Sequence, residues 1–154
     1  MSNSAKNSVN TSFGTFSEDA REYVITAPFS PPRFQVNFMW NDTIVSGVNQ
    51  FGTGEGVFNN QTMLYNCPEG RVRMIRDGRR CFYLQDRVSG DFWNTGLYPK
   101  SHPAGKLTTH VGLGYSTFTT EADDLTCKSR VMLAPDEPVE IWQFEISNHG
   151  SAKR

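Results

Sequence analysis

The stretch that decides the fold is His110–Ser147, HVGLGYSTFTTEADDLTCKSRVMLAPDEPVEIWQFEIS. It reads as three extended segments in a row, separated by Asp, Glu and Pro. Val111–Thr120 is rich in Gly and Thr with Tyr115 and Phe118, residues that suit a pleated surface better than a helix. Leu125, Cys127, Ser129, Val131 and Leu133 then alternate with Asp124, Thr126, Lys128, Arg130 and Met132, the period-two pattern of a half-buried strand. After the turn Ala134–Pro138, the segment Val139–Ile146 changes parity: Val139 and Ile141 are odd, whereas Trp142, Phe144 and Ile146 are even. That change predicts either a bulge near Ile141–Trp142 or a strand covered on both faces, as in packed sheets. Both readings are all-β.

Working outward, the same texture holds through the rest of the chain. Tyr23–Thr26 is a brief β-branched strand, and Ala27–Pro32 is a proline-stiffened crossing. Phe34, Val36, Phe38 and Trp40 alternate with Gln35, Asn37 and Met39, and Asn41-Asp42 turns the chain into Thr43–Val48. Arg71–Arg76 and Arg79–Gln85 flank Asp77-Gly78, a strong hairpin signal. Ser17–Arg21 offers at most one helical turn capped by Ser17, which nothing sustains. Residues 95–106, with two prolines and two glycines, are predicted to be an exposed loop. Apolar residues nowhere recur at helical spacing across a dozen positions. The expectation is an antiparallel β-sandwich of about ten strands with essentially no helix.

The chain has 154 residues, enough for one domain, and the Ser/Asn-rich residues 1–12 read as a disordered tail preceding a domain over 13–154. A formal net charge of −1 gives no field favouring nucleic acid or an anionic membrane. No apolar run approaches the ~20 residues that span a bilayer, and MSNSAKNSVN lacks the apolar core of a secretory leader. Cys67, Cys81 and Cys127 are odd in number, scattered, and without zinc-ligand spacing, which fits reduced thiols in a cytoplasmic protein.

Chemistry-bearing patterns are sparse. Gly52-Thr53-Gly54-Glu55-Gly56 has phosphate-loop composition, but no helix follows to present its N-terminus to an anion, so the segment reads as a bend where backbones approach closely. Arg71, Arg73, Arg76, Arg79 and Arg80 crowd one hairpin and read as a solvated strand face and a charged edge. His102, His110 and His149 are far apart in sequence, and no Ser or Cys sits in a nucleophile elbow. Paired carboxylates are a matter of geometry, and Asp123-Asp124 and Asp136-Glu137 read as turns. Trp40 and Trp142 lie on alternating strands and are expected in the core. Trp93, beside Gly90-Asp91 and Asn94 in a loop context, is the tryptophan expected to offer a face to a sugar ring. His110 opens Gly112-Leu113-Gly114-Tyr115 and is either a satisfied sheet-edge histidine or a site residue. The candidate carbohydrate-binding residues are therefore Trp93, His110 and Tyr115.

Several local strings recur together. Phe13-Gly14 with Arg21-Glu22-Tyr23-Val24-Ile25-Thr26, then Pro32 and Asn37, opens the series. Phe82-Tyr83-Leu84-Gln85-Asp86, Gly90-Asp91-Phe92-Trp93, His110-Val111-Gly112-Leu113-Gly114-Tyr115 and Pro138-Val139-Glu140-Ile141-Trp142 continue it. In order and spacing, over about residues 13–148, the chain resembles the opening of glycoside hydrolase family 94, formerly glycosyltransferase family 36, the cellobiose- and chitobiose-phosphorylase-like enzymes. Two positions depart from the pattern: Gly52–Gly56 replaces a plainer Gly-Gly-Gly-Tyr run, and Thr109 stands where an Arg is usual.

The resemblance implies a β-supersandwich similar to galactose mutarotase-like domains, accompanied in the family by a helical (α/α)6 barrel. It implies inverting phosphorolysis of a β-linked saccharide, in which a barrel carboxylic acid protonates the leaving oxygen and phosphate is the nucleophile. No cofactor is implied beyond inorganic phosphate as co-substrate. The expected partners are a β-linked oligosaccharide and either the barrel portion or a second copy of the chain, with no nucleic acid and no membrane. Two functional readings stand side by side: a non-catalytic front segment of a phosphorylase, and a free-standing carbohydrate-binding or interaction module.

Overall fold

The computed structural model describes residues 11–58, 64–65 and 80–151. Among them are twelve strands and no helix, as the all-β reading expects. In chain order these are β1 (Gly14–Phe16), β2 (Tyr23–Ile25), β3 (Val36–Trp40), β4 (Ile44–Asn49), β5 (Gly54–Phe58) and β6 (Leu64–Tyr65). Then follow β7 (Tyr83–Gln85), β8 (Phe92–Asn94), β9 (Lys106–Gly112), β10 (Tyr115–Ala122), β11 (Leu125–Leu133) and β12 (Glu140–Asn148). Six strands form one antiparallel sheet in the order β1-β2-β9-β10-β11-β12, four form a second in the order β3-β4-β5-β6, and β7-β8 is a separate hairpin. The Asp77-Gly78 turn and first arm of the predicted basic hairpin, and residues 1–10 of the tail predicted over 1–12, lie outside the described residues.

The core lies between the two larger sheets. Met39 and Val48 of the small sheet meet Leu107, Phe118, Ala122, Cys127 and Val131 of the large one, with Phe51, Trp93 and Leu97 closing one end. Val131 is fully inaccessible and Phe118 is 1% exposed. Burying side chains of this size contributes about 1.5–3 kcal/mol each. Polar bolts fix how the sheets face each other. Asn37 Nδ2 donates to the carbonyl oxygens of Gly112 (3.1 Å) and Tyr115 (2.9 Å), and Thr109 Oγ1 donates to the carbonyl of Gln50 (2.7 Å).

Several expectations are corrected. Val111–Thr120 is not one strand: Leu113-Gly114 forms the two-residue turn between β9 and β10, and Gly112 faces Tyr115 across it. Gly114 has φ of 78°, a backbone conformation that glycine adopts without penalty, while Leu113 stands 97% exposed. Neither explanation of the parity change in the last strand holds. Leu125↔Asn148 to Leu133↔Glu140 pair without interruption, so there is no bulge, and β12 is an edge strand whose Ile141, Phe144 and Ile146 remain exposed.

In β3 the inward face is the opposite of the one expected. Met39 is buried whereas Trp40 is 72% exposed, because Asn37 must point across the sandwich to reach its carbonyl partners, and Met39 shares its face. Residues 95–105 do form a loop, but Thr95 and Leu97 are buried. Thr95 accepts from Thr120 Oγ1 through its carbonyl and donates its N–H to the carbonyl of Phe82 (2.8 Å), which draws the loop inward. Ser17–Arg21 is a turn, closed by the Ala20 N–H on the Ser17 carbonyl (2.9 Å). Gly52–Gly56 is not one bend: Gly52, with φ of 77°, lies in the turn before β5, while Gly54–Gly56 open β5, and the expected close approach is there, since a Cβ on Gly54 would lie 1.9 Å from the carbonyl oxygen of Gly47.

Candidate functional site

Strand alternation divides the large sheet into two chemically different faces. His110 pairs with Thr117 and Val24, and Thr117 pairs with Arg130, so these residues share the face turned away from the core that holds Phe118. Glu22, immediately before β2, completes the cluster on this outer face. His110 Nδ1 lies 2.7 Å from Glu22 Oε2, and the Tyr115 hydroxyl donates to Glu22 Oε1 at 2.5 Å. The Arg130 guanidinium stacks over the Tyr115 ring, 4.1 Å from its centroid.

The electrostatics follow from these contacts. The Tyr115 hydroxyl, and after it His110, hold the Glu22 carboxyl below its ordinary value. The same bond to Glu22 raises the Tyr115 phenol above its ordinary value. With the carboxylate accepting at Nδ1, the imidazole is fixed in orientation and its Nε2 is the ring nitrogen left for a further partner. The histidine side chain is 35% exposed, so a ligand hydroxyl can reach it. The arrangement is suited to orienting and hydrogen-bonding a polar ligand.

Of the three residues singled out in the sequence, the structure joins His110 and Tyr115 through Glu22 and places Trp93 elsewhere. Trp93 lies in β8, not in a loop, and is 7% exposed in the core, edge-on to the His102 ring with centroids 5.5 Å apart. It belongs to the core cluster that also holds Phe51 and Leu97. Glu22 and Arg130 were not singled out. Glu22 lies within the Arg21–Thr26 string that carries the family resemblance, but its bond to His110 spans 88 residues and depends on register.

A second polar cluster lies inside the sandwich. Arg80 Nη1 sits 2.8 Å from Glu140 Oε2, and the same carboxylate accepts from Ser46 Oγ at 2.6 Å and from Trp142 Nε1 at 2.6 Å. Arg80, expected on a solvated basic face, is therefore a buried ion-pair partner joining the two sheets. Burial pushes the Cys127 thiol up to about 11 and raises that of Cys81, so neither is a thiolate nucleophile at neutral pH. Among the described residues no group of three His, Cys, Asp or Glu side chains could hold a metal ion. Among the described residues no helix is long and apolar enough to cross a membrane.

Comparison with known proteins agrees with this architecture. The family described as glycosyl hydrolase 94, supersandwich domain, matches residues 21–154. Solabiose phosphorylase of Paenibacillus borealis is 37% identical over 92% of this chain, which corresponds to 19% of that protein. The 3-O-beta-D-glucopyranosyl-beta-D-glucuronide phosphorylase of the same organism is 29% identical over 92% of the chain and 17% of its own length. The N,N'-diacetylchitobiose phosphorylase of Vibrio proteolyticus is 28% identical over 88% of the chain and 17% of its own length. The chain thus spans less than a fifth of each of these relatives. With twelve antiparallel strands among the described residues and a match covering most of its length, the chain belongs to the glycosyl hydrolase 94 supersandwich-domain family.

Proposed function

We propose that this chain serves as the non-catalytic β-sandwich segment of an inverting glycoside phosphorylase, where it acts as scaffold and carbohydrate-side surface. The observation that carries this reading is the match over residues 21–154 together with relatives that are phosphorylases of which the aligned segment makes up 19% and 17%. In the complete enzyme a β-linked saccharide and inorganic phosphate give a sugar 1-phosphate. Phosphate is the nucleophile, no further cofactor is required, and the protonating acid belongs to the helical barrel that the family resemblance implies. Two free thiols, Cys81 and Cys127, fit a reducing, cytoplasmic setting.

Exposed apolar surface supports a partner of this kind. Along β12 and the segment before it, Val139, Ile141, Phe144 and Ile146 are 38–53% exposed, and Phe82 packs on Phe144 with centroids 4.3 Å apart. On the outer face of the small sheet, Phe38 and Trp40 are exposed beside Val45. Patches of this type mark surfaces that another body covers. The barrel portion, or a second copy of the chain, is the proposed occupant.

The test is a chimera in which residues 21–154 replace the matching segment of the Paenibacillus borealis solabiose phosphorylase. Retained phosphorolysis supports the scaffold reading, and a folded but inactive chimera opposes it. The isolated chain is expected to release no sugar 1-phosphate from a β-linked disaccharide and phosphate. Release that His110→Ala abolishes would overturn the non-catalytic assignment.

A further inference from the structure

Where β2 leaves the large sheet, it opens a cleft that is separate from the His110 cluster. β2 pairs with β9 only through Tyr23–Ile25 opposite Thr109–Val111, while β9 pairs with β10 from Lys106 onward. Residues 106–108 of β9 therefore run beyond β2, and this strand edge opens on a cleft of about 480 Å³, a volume within the range of small-molecule sites. Leu97 and Leu107 supply its apolar floor.

The polar groups are few and regularly placed. Thr108 and Thr119 are cross-strand partners on one face, and Thr26 adds a third hydroxyl from the end of β2. Phe29 also lines the cleft, 62% exposed, and is held by a tilted contact with the buried Phe51, centroids 4.8 Å apart. Gln50 Nε2, itself buried, donates to the Pro28 carbonyl at 3.1 Å and fixes the loop that carries Phe29. An aromatic ring open on one side and fixed from behind is a platform for the polarised C–H groups of a pyranose. Lys106 and Glu121 are also cross-strand partners, so the charges at the rim cancel and favour a neutral ligand over a phosphorylated one.

We propose that this cleft is a carbohydrate subsite, taking a neutral pyranose of a β-linked saccharide against Phe29 with its hydroxyls on Thr26, Thr108 and Thr119. The inference rests on the carbohydrate reading above, and it adds a position distinct from His110 and Tyr115.

The experiment titrates the 154-residue chain with cellobiose, N,N'-diacetylchitobiose, glucose 1-phosphate and inorganic phosphate, followed by NMR chemical shifts. Expected is saturable binding of at least one neutral disaccharide, weakened about tenfold by Phe29→Ala, the loss of one anchoring contact. Thr108→Val, which keeps the side-chain shape and the strand preference, is expected to weaken it in the same direction. Val88→Ala, a change at a side chain that is 98% exposed and outside the cleft lining, is expected to leave it unchanged. Binding lost in His110→Ala but insensitive to Phe29→Ala would move the saccharide to the outer-face cluster and overturn the cleft assignment, leaving the scaffold reading intact. Preference for glucose 1-phosphate or phosphate would overturn the neutral-ligand assignment. Absence of any saccharide binding would overturn the subsite, while the chimera reports separately on the phosphorylase reading.

Discussion

Arg80 and Glu140 form a buried ion pair, 2.8 Å apart with side chains 4% and 10% exposed, that ties the segment before β7 to the last strand of the large sheet. The carboxylate is the shared acceptor of Arg80, Ser46 and Trp142, so removing it takes the charged partner from a buried cation and an acceptor from two further donors. Glu140→Leu is predicted to destabilise the fold by about 3–5 kcal/mol, the cost of breaking a buried pair from one side. Urea denaturation measures it. A loss under about 1 kcal/mol, the range of exposed pairs, would mean that water reaches the cluster.

Two glycines are predicted to respond very differently to the same added methyl. A Cβ on Gly96 would lie 1.7 Å from the carbonyl oxygen of Phe51, a backbone atom that cannot step aside. Gly96→Ala should therefore abolish cooperative unfolding or prevent accumulation of folded chain. Gly114→Ala meets no atom within 4 Å, and its only cost is the left-handed backbone, about 1–2 kcal/mol. Comparable thermal midpoints for the two variants would contradict the close approach of the 95–97 loop to Phe51.

What was legible in the sequence, and what was not, follows the range of each interaction. The period-two run Leu125–Leu133 is local and became β11 within the predicted bounds, because alternation along one strand needs no knowledge of its neighbours. Trp40 was assigned to the wrong face because pattern gives parity but not which parity points inward. That phase is set by Asn37, whose partners in the β9–β10 turn lie 75 and 78 residues away. Trp93 was misread because the adjoining glycine- and proline-rich loop, normally a surface feature, is pulled inside by Thr120 and Phe82. His110 and Tyr115 are legible from residue type, whereas the Leu113-Gly114 turn between them is hidden in a run that reads as one extended segment. Glu22, which joins them, needs the β2–β9 register, which no local string encodes.

The pH dependence of stability is predicted to carry a contribution from Glu22. Its folded carboxyl is held below the ordinary 4.5 by Tyr115 and His110. A depressed folded value stabilises the native state above the unfolded value and loses that contribution as pH falls through the folded one. The loss is expected below about pH 4.5. Tyr115 acts in the opposite direction. Its value is raised above 10.0, so its contribution is full below that pH and fades as pH rises through the folded value. Glu22→Gln should flatten the acid limb of a stability–pH profile and leave neutral pH less affected. An acid limb as steep as that of the wild type would remove Glu22 from the account.

The last strand is predicted to drive self-association of the isolated chain. β12 is the outer strand of the six-stranded sheet, nine residues long, and the described chain places no strand beyond it. Natural edge strands of this length are usually protected by charge, proline or a bulge, and β12 has an unbroken register and no proline. Phe144 and Ile146 lie 38% and 53% exposed on one face, and Ile141 is 42% exposed on the other, so either face offers apolar contact to a second copy. Sedimentation velocity of the purified chain should show concentration-dependent dimers or larger species. Ile146→Lys, which places a charge on the open edge at a half-exposed side chain paired with Cys127, should shift the distribution toward monomer. A wild-type chain that sediments as a single monomer at all concentrations would show that β12 is not a sticky edge, and the proposed occupant of that surface would then have to be sought on the Phe38–Trp40 face instead.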